Sequence, residues 1–166
     1  MESPNSKPAI GGIKLSQELI QIYLFPQSDR ILQEMFSSLT ARQINLTGVT
    51  LEMLEGKPKA RCCIATEDRL AAEMALEPFR DSFDLLPGIG TVTIFPHKGR
   101  LELIGQLLSI LGKGKLPIYE VASSFSSLII ATDYERLDEA VEMVCQVVTL
   151  PENHAPFRPE FRVRQL

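Results

Sequence analysis

Apolar positions along the chain change period in a fixed order, and the order occurs twice. Residues 19–25 (Leu-Ile-Gln-Ile-Tyr-Leu-Phe) form a strand-like run, and the short alternating piece Ile13-Lys14-Leu15 before it predicts a hairpin partner. Ile31, Leu32, Met35, Phe36 and Leu39 then fall at i, i+1, i+4, i+5 and i+8, one face of a helix. Ile44, Leu46, Val49 and Leu51 predict the next strand, with a bulge near Gly48. Glu55-Gly56-Lys57-Pro58 turns the chain into a strand over 61–66, and Leu70, Met74 and Phe79 mark a second helix ending near Pro78. The order then restarts. Residues 91–95 predict a strand, and Leu101, Ile104, Leu107, Leu108 and Leu111 a helix ended by Gly112 or Gly114. Strands follow over 118–121 and 128–131, with a serine turn at 123–126 between them. Thr132 with Glu135 reads as a capping box for a helix carrying Leu137, Ala140, Val141, Val144 and Val148, closed by Pro151.

Two pairs of words mark the repeat. Phe25-Pro26-Gln27-Ser28-Asp29-Arg30 is echoed by Phe95-Pro96-His97-Lys98-Gly99-Arg100, and Ile64-Ala65-Thr66 by Ile130-Ala131-Thr132. Arg69-Leu70 and Arg136-Leu137 follow the second pair. Landmarks in the same order point to an internal duplication. Chance matching of short words is the plainer alternative. Each copy reads strand, helix, strand, strand, helix, and a fourth strand completes a split βαβ sheet. Between Phe79 and Phe95 there is room for one good strand, which the second copy uses. The spare candidate for the first copy is the alternating stretch Glu160 to Arg164. The expected fold is therefore α+β, two ferredoxin-like βαββαβ units, with the second inserted in the first and a C-terminal strand returning to the first sheet. The expected boundaries are a tail over 1–10, a first unit over 11–87, a second over 88–150, and a connection with the returning strand over 151–166. A disordered C-terminal tail is the alternative, given Pro151, Pro156 and Pro159.

Composition narrows the function classes. The 166 residues are 45% hydrophobic and 23% charged, enough for a substantial core. A formal charge of −4 argues against binding nucleic acid by phosphate neutralisation. An RNA-binding sheet of this fold would also need exposed aromatics on central strands, whereas Phe25 and Phe95 end strands. No apolar run is long enough to span a membrane, and no signal peptide opens the chain. Cys62, Cys63 and Cys145 lack metal-ligand spacing. They read as reduced, buried or half-buried thiols, and with them a cytoplasmic location is expected. No cofactor is implied.

The strand order and several local words resemble the tandem ACT regulatory region of aspartokinases. Gly12-Ile13-Lys14 followed by the strand from Leu19 is similar to that region's entry hairpin. Tyr119-Glu120-Val121-Ala122-Ser123-Ser124, then Ser127-Leu128-Ile129-Ile130-Ala131-Thr132-Asp133, resembles the serine-rich strand-turn-strand of its second unit, and Leu137-Asp138-Glu139-Ala140-Val141 the helix after it. The chain has about the extent of the small regulatory subunits of this family. It shows no glycine-rich phosphate loop and nothing like the kinase's Lys-Phe-Gly-Gly word. The resemblance implies a non-catalytic regulatory protein that binds a small effector, an amino acid, at its loop-helix junctions. It further implies a homodimer through sheet edges and a possible partner enzyme of aspartokinase type. The alternative is a dimerisation or docking subunit with no effector bound.

The junctions depart from the family's Asp-x-Pro-Gly loop. Gln27-Ser28-Asp29-Arg30 has no glycine, and Pro96-His97-Lys98-Gly99-Arg100 has no aspartate. At the first junction, Asp29 would accept from an effector ammonium while helix N–H groups bind its carboxylate. Capping by Ser28 or Asp29 beside a surface Arg30 is the plainer reading. His97, Lys98 and Arg100 gather positive charge at a helix start and suit a carboxylate or phosphate, or are a solvated turn. Ser123 and Ser124 are candidate ligand contacts or simple turn formers. Catalysis of acylphosphatase type would need an Asn to hold water, and Asn45 is an unsupported candidate.

Overall fold

The computed structural model describes residues 7–96 and 101–158. Among them the elements run β1 (Gly12–Leu15), β2 (Leu19–Leu24), α1 (Asp29–Ala41), β3 (Thr47–Leu54), β4 (Lys57–Ala65) and α2 (Arg69–Leu76). They continue as β5 (Phe83–Phe95), α3 (Leu101–Lys113), β6 (Glu120–Ser123), β7 (Leu128–Asp133) and α4 (Leu137–Val147). A single 3-10 turn leads into each copy's second helix, Thr66–Asp68 before α2 and Tyr134–Arg136 before α4. The chain forms two compact units. One is continuous, Glu18–Ile89, and the other is assembled from Met1–Gln17 and Gly90–Leu166.

In the continuous unit the strand order is β3-β4-β2-β5. β2 pairs antiparallel with β4 from Leu19↔Ala65 to Leu24↔Ala60. Its other edge takes the first part of β5, from Leu24↔Phe83 to Leu19↔Ile89. Alternation places Ile20, Ile22 and Leu24 of β2 and Ala60, Cys62 and Ile64 of β4 on one face. Leu32, Met35 and Leu39 of α1, with Ala72, Ala75 and Leu76 of α2, cover that face and close a core. β3 and β4 are joined by Glu55 (φ 52°) and Gly56 (φ 74°), the pair of left-handed residues that a two-residue hairpin turn needs.

In the composite unit the neighbours are β1-β5 and β5-β7-β6. β1 pairs antiparallel with the end of β5, from Gly12↔Phe95 to Leu15↔Val92. The Ser16 N–H donates to Thr91 O (3.0 Å), and the Thr91 N–H donates to Ser16 Oγ (2.9 Å). Ile13, Leu15, Val92 and Ile94 share a core with Leu103, Leu107 and Leu111 of α3 and Leu137, Ala140, Val141 and Val144 of α4. Gly90 is small because it must be: a Cβ there would lie 2.6 Å from Leu137 Cδ1.

The α+β class and the two βαββαβ units are those the sequence predicts. The nesting differs. The unit that closes on itself is the first copy, and β1 supplies the fourth strand of the other. β1 therefore pairs with β5, not in a hairpin with β2. The first copy finds its own fourth strand in residues 83–89, so it does not need the C-terminus. The expected strand at 160–164 lies outside the described residues. Smaller differences are local. Thr132 is fully buried in β7 and donates to Pro117 O (2.6 Å), so it caps nothing. α2 turns Ala72, Ala75 and Leu76 inward, and Leu70 and Met74 face solvent. β6 begins at Glu120 rather than Ile118. After α3 the left-handed residue is Lys115 (φ 53°), not a glycine. The bulge at Gly48 is present, as a register shift between Thr47 and Thr50.

Two glycines test this packing with opposite signs. Gly90→Ala should destabilise the fold by about 1–3 kcal/mol through its collision with Leu137. Gly105→Ala, in α3 with nothing within 4 Å of a new Cβ, should stabilise it by up to about 1 kcal/mol. Equilibrium urea unfolding measures both.

Candidate functional site

The junction between β2 and α1 holds the four polar candidates of the first copy. Pro26 is buried, and Gln27, Ser28, Asp29 and Arg30 follow it into solvent. Ser28 is extended (φ −155°, ψ 159°) and caps α1. Its carbonyl accepts from the Leu32 N–H at 3.1 Å, and its Oγ accepts from the Ile31 N–H at a long 3.4 Å. The N–H groups of Asp29 and Arg30 belong to the first turn, where the helix offers no acceptor. Asp29 is the acidic residue of that first turn. Arg30 turns along the helix to Glu34 (3.1 Å) and stays 87% exposed. A groove of about 660 Å³ starts at Asp29 and runs along α1 past Leu32, Gln33, Phe36 and Thr40 to Leu51 of β3.

The equivalent junction of the second copy begins at Pro96, directly after β5, and leads to α3. A Cβ on Gly11 would lie 2.6 Å from Pro96 Cδ, so a glycine there lets the proline ring sit on the backbone. His97, Lys98, Gly99 and Arg100 lie outside the described residues. Ser123 ends β6, and Ser124 starts the turn to β7. Ser124 Oγ accepts from the N–H groups of Ser126 (3.3 Å) and Ser127 (3.0 Å) and lies 2.9 Å from Ser127 Oγ. These contacts are those of a turn-forming serine. Gln27 to Arg30 thus gather at one junction, Pro96 marks the other, and the serines stand at the β6–β7 turn.

Two features escape the sequence reading. On the sheet face away from the helices, Tyr23 carries Arg61 at 5.1 Å and Lys59 at 5.9 Å over its ring, with Phe25 at 5.4 Å. The register of β2 on β4 places Tyr23 opposite Arg61, and strand alternation alone does not fix that register. The other is the exposure of Val49, Leu51 and Met53 on β3, where the apolar pattern predicts core. The repeated Arg-Leu words prove structural. Arg69 pairs with Glu73 (2.9 Å), and Arg136 pairs with Glu139 (2.6 Å) while donating to Lys115 O (2.8 Å) at the end of α3. The Arg136 hydrogen bond holds the Glu139 carboxyl below the usual glutamate range. His154 stacks on Phe157 with ring centroids 5.0 Å apart.

None of the three cysteines is in a disulfide, and burial pushes the Cys145 thiol up. Among the described residues no three His, Cys, Asp or Glu side chains group as metal ligands. Among them, too, no helix is long and apolar enough to cross a membrane.

At the end of the β6–β7 hairpin away from the serine turn, the Tyr119 hydroxyl donates to Asp133 Oδ1 at 2.7 Å. That hydrogen bond, and then burial, raise the Tyr119 pKa above its ordinary 10.0. A raised folded pKa stabilises the fold below pH 10 and loses that stabilisation as pH rises through the folded value. Alkaline absorbance titration should show one of the three tyrosines titrating late. In Asp133→Ala it should return to the ordinary range.

No protein-family model matches the chain, and no curated protein matches its sequence. Solved structures do. The regulatory subunit of aspartate kinase from Thermus thermophilus, in its ligand-free form, superposes with a TM-score of 0.73 at 20% identity, covering 84% of this chain and 98% of that one. The regulatory subunit from Thermus flavus gives 0.75 at 20% identity with the same coverage. Aspartokinase III of E. coli in complex with lysine and aspartate gives 0.63 at 14% identity, covering 87% of this chain and 34% of that one. The chain therefore has the tandem ACT-type α+β fold of aspartate kinase regulatory subunits.

Proposed function

We propose that the chain is a non-catalytic regulatory protein that binds a small effector, an amino acid, at the loop-helix junctions of its ACT-type units. The observation that carries the reading is the first junction. There an acidic residue, Asp29, opens the first turn of α1, the end where a helix leaves N–H groups without intrahelical acceptors. An amino acid needs both: N–H donors for its carboxylate and a carboxylate for its ammonium. Gln27 and Ser28 flank the pair. Pro96, His97, Lys98, Gly99 and Arg100 form the corresponding candidate in the second copy, with Ser123 and Ser124 as further contacts. The likeness to regulatory subunits of aspartate kinase, and to an aspartokinase complexed with lysine and aspartate, supports this reading.

The chain acts as a homodimer through its sheet edges, in the cytoplasm, where its three thiols, none in a disulfide, stay reduced. An effector that binds one arrangement of the dimer better than another shifts their populations, and so regulates a partner enzyme. A second reading, a docking subunit that binds no effector, is favoured by the fit to separate regulatory subunits. Its partner would be an enzyme of aspartate kinase type.

Thermal unfolding in the presence of each common amino acid separates the two. At a concentration of 100 times Kd an effector adds about 2.7 kcal/mol, a rise of several degrees in Tm. At least one amino acid should give it, and Asp29→Ala should remove it without changing the unliganded Tm by much. Silence from all of them would sink the sensor reading, and co-purification of a kinase from the native cell would then be required of the docking reading.

A further inference from the structure

The open face of the continuous unit's sheet carries cations and aromatics in a regular arrangement. The order β3-β4-β2-β5 puts β4 and β2 at the centre of that sheet. Alternation along β4 places Lys57, Lys59 and Arg61 on the face away from the helices, each about 6.6 Å from the next along the strand. Tyr23 of β2 stands opposite Arg61, with the Arg61 guanidinium 5.1 Å and Lys59 Nζ 5.9 Å from its ring, and the Phe25 ring 5.4 Å away. Lys57 is exposed, and the other four side chains are half-buried. Arg61 is partly neutralised by Glu52 at 3.6 Å, whereas Lys57 and Lys59 have no ion-pair partner among the described residues. The fold does not ask for this row. Lysine is depleted in strands, and like charges repeated along one face repel. Lysines do guard edge strands against uncontrolled pairing, but β4 is paired on both sides.

A bound polyanion offsets the repulsion, and the neighbours of the row select which one. The cation repeat is close to the phosphate repeat of an extended single strand of nucleic acid. An unpaired base stacks on an aromatic ring or on a guanidinium plane, and here the two lie over one another. An acidic peptide would use the cations and leave the rings idle. Asp84 of β5 stands opposite Tyr23 and is exposed. Its carboxylate repels phosphate but accepts from a ribose 2′-hydroxyl, which deoxyribose lacks. We infer that this face binds single-stranded RNA, with Lys57, Lys59 and Arg61 on successive phosphates and Tyr23 and Phe25 against the bases. The net charge of −4 belongs to the whole chain, and the strand meets only this face. The aromatic required on a central strand is Tyr23, and its cationic neighbours come from register rather than from any local word. Effector binding at the first junction neither requires this site nor is required by it.

Fluorescence anisotropy of a labelled oligouridylate, titrated with the whole chain at about 50 mM salt, tests it. Binding should weaken as salt rises, with log K falling against log salt at a slope of about −2, three phosphates at about 0.7 each. Tyr23→Leu should lower the affinity about tenfold and keep that slope, because it removes stacking and no charge. Lys59→Ser should reduce the slope by about 0.7. Lys57→Ser, at an exposed residue, should do the same, so the charge test does not hang on the folding of one variant. Lys113→Ser, at the exposed end of α3, should change neither affinity nor slope. No anisotropy change with oligouridylate overturns the inference. So does oligothymidylate or polyglutamate that binds as tightly as the RNA, or a set of Tyr23 and lysine variants that bind like wild type. None of these results touches the effector reading, which the amino-acid titration decides.

Discussion

The backbone groups of β5 need partners along thirteen residues, and the way they are met fixes the architecture. Residues 83–89 pair with β2 and close the continuous unit; residues 92–95 pair with β1 and open the other. One strand therefore ends one copy and begins the next. Gly88 (φ 73°) and the register shift opposite Leu19 lie within its first part. Gly90 then passes beneath Leu137 with no room for a side chain. The strand's last residue, Phe95, delivers Pro96 to the second junction, as Leu24 and Phe25 deliver Pro26 to the first. The place of both candidate sites follows from strands fixed by pairing on both edges.

Much of this was legible from sequence. The repeated Phe-Pro words do mark the strand-to-helix junctions, and Ile64 and Ile130 are core residues of equivalent strands, β4 and β7. The helix stripes of α1 and α4 are right because a period of 3.6 selects a face directly. The nesting was not legible because alternation states which face a residue takes and says nothing of the neighbouring strand. The stretch between Phe79 and Phe95 reads as room for one strand, whereas the structure runs a single long β5 through Pro87 and Gly88 and pairs its two parts with different strands. Val49, Leu51 and Met53 look like core for the same reason that Ile20, Ile22 and Leu24 do. Only the position of β3 at the sheet edge separates them.

The candidate site divides in the same way. Gln27 to Arg30 could be read because capping and first-turn donors are local properties of a helix start. The serine turn could be located, and the structure gives its hydroxyls a part in shaping the backbone. The cation-aromatic group on Tyr23 depends on cross-strand register, which no local word encodes. The acidic net charge of the chain thus coexists with a small, locally cationic feature around Tyr23.

The most direct test of an effector at the first junction is residue-resolved. A 1H–15N correlation spectrum, recorded while the amino acid that raises Tm is titrated in, reports on every backbone N–H. The account predicts the largest shifts at Gln27, Ser28, Asp29 and Arg30, with the α1 first turn, and smaller ones elsewhere. Shifts confined to the groove between α3 and α4, or to the Tyr23 face, would contradict it.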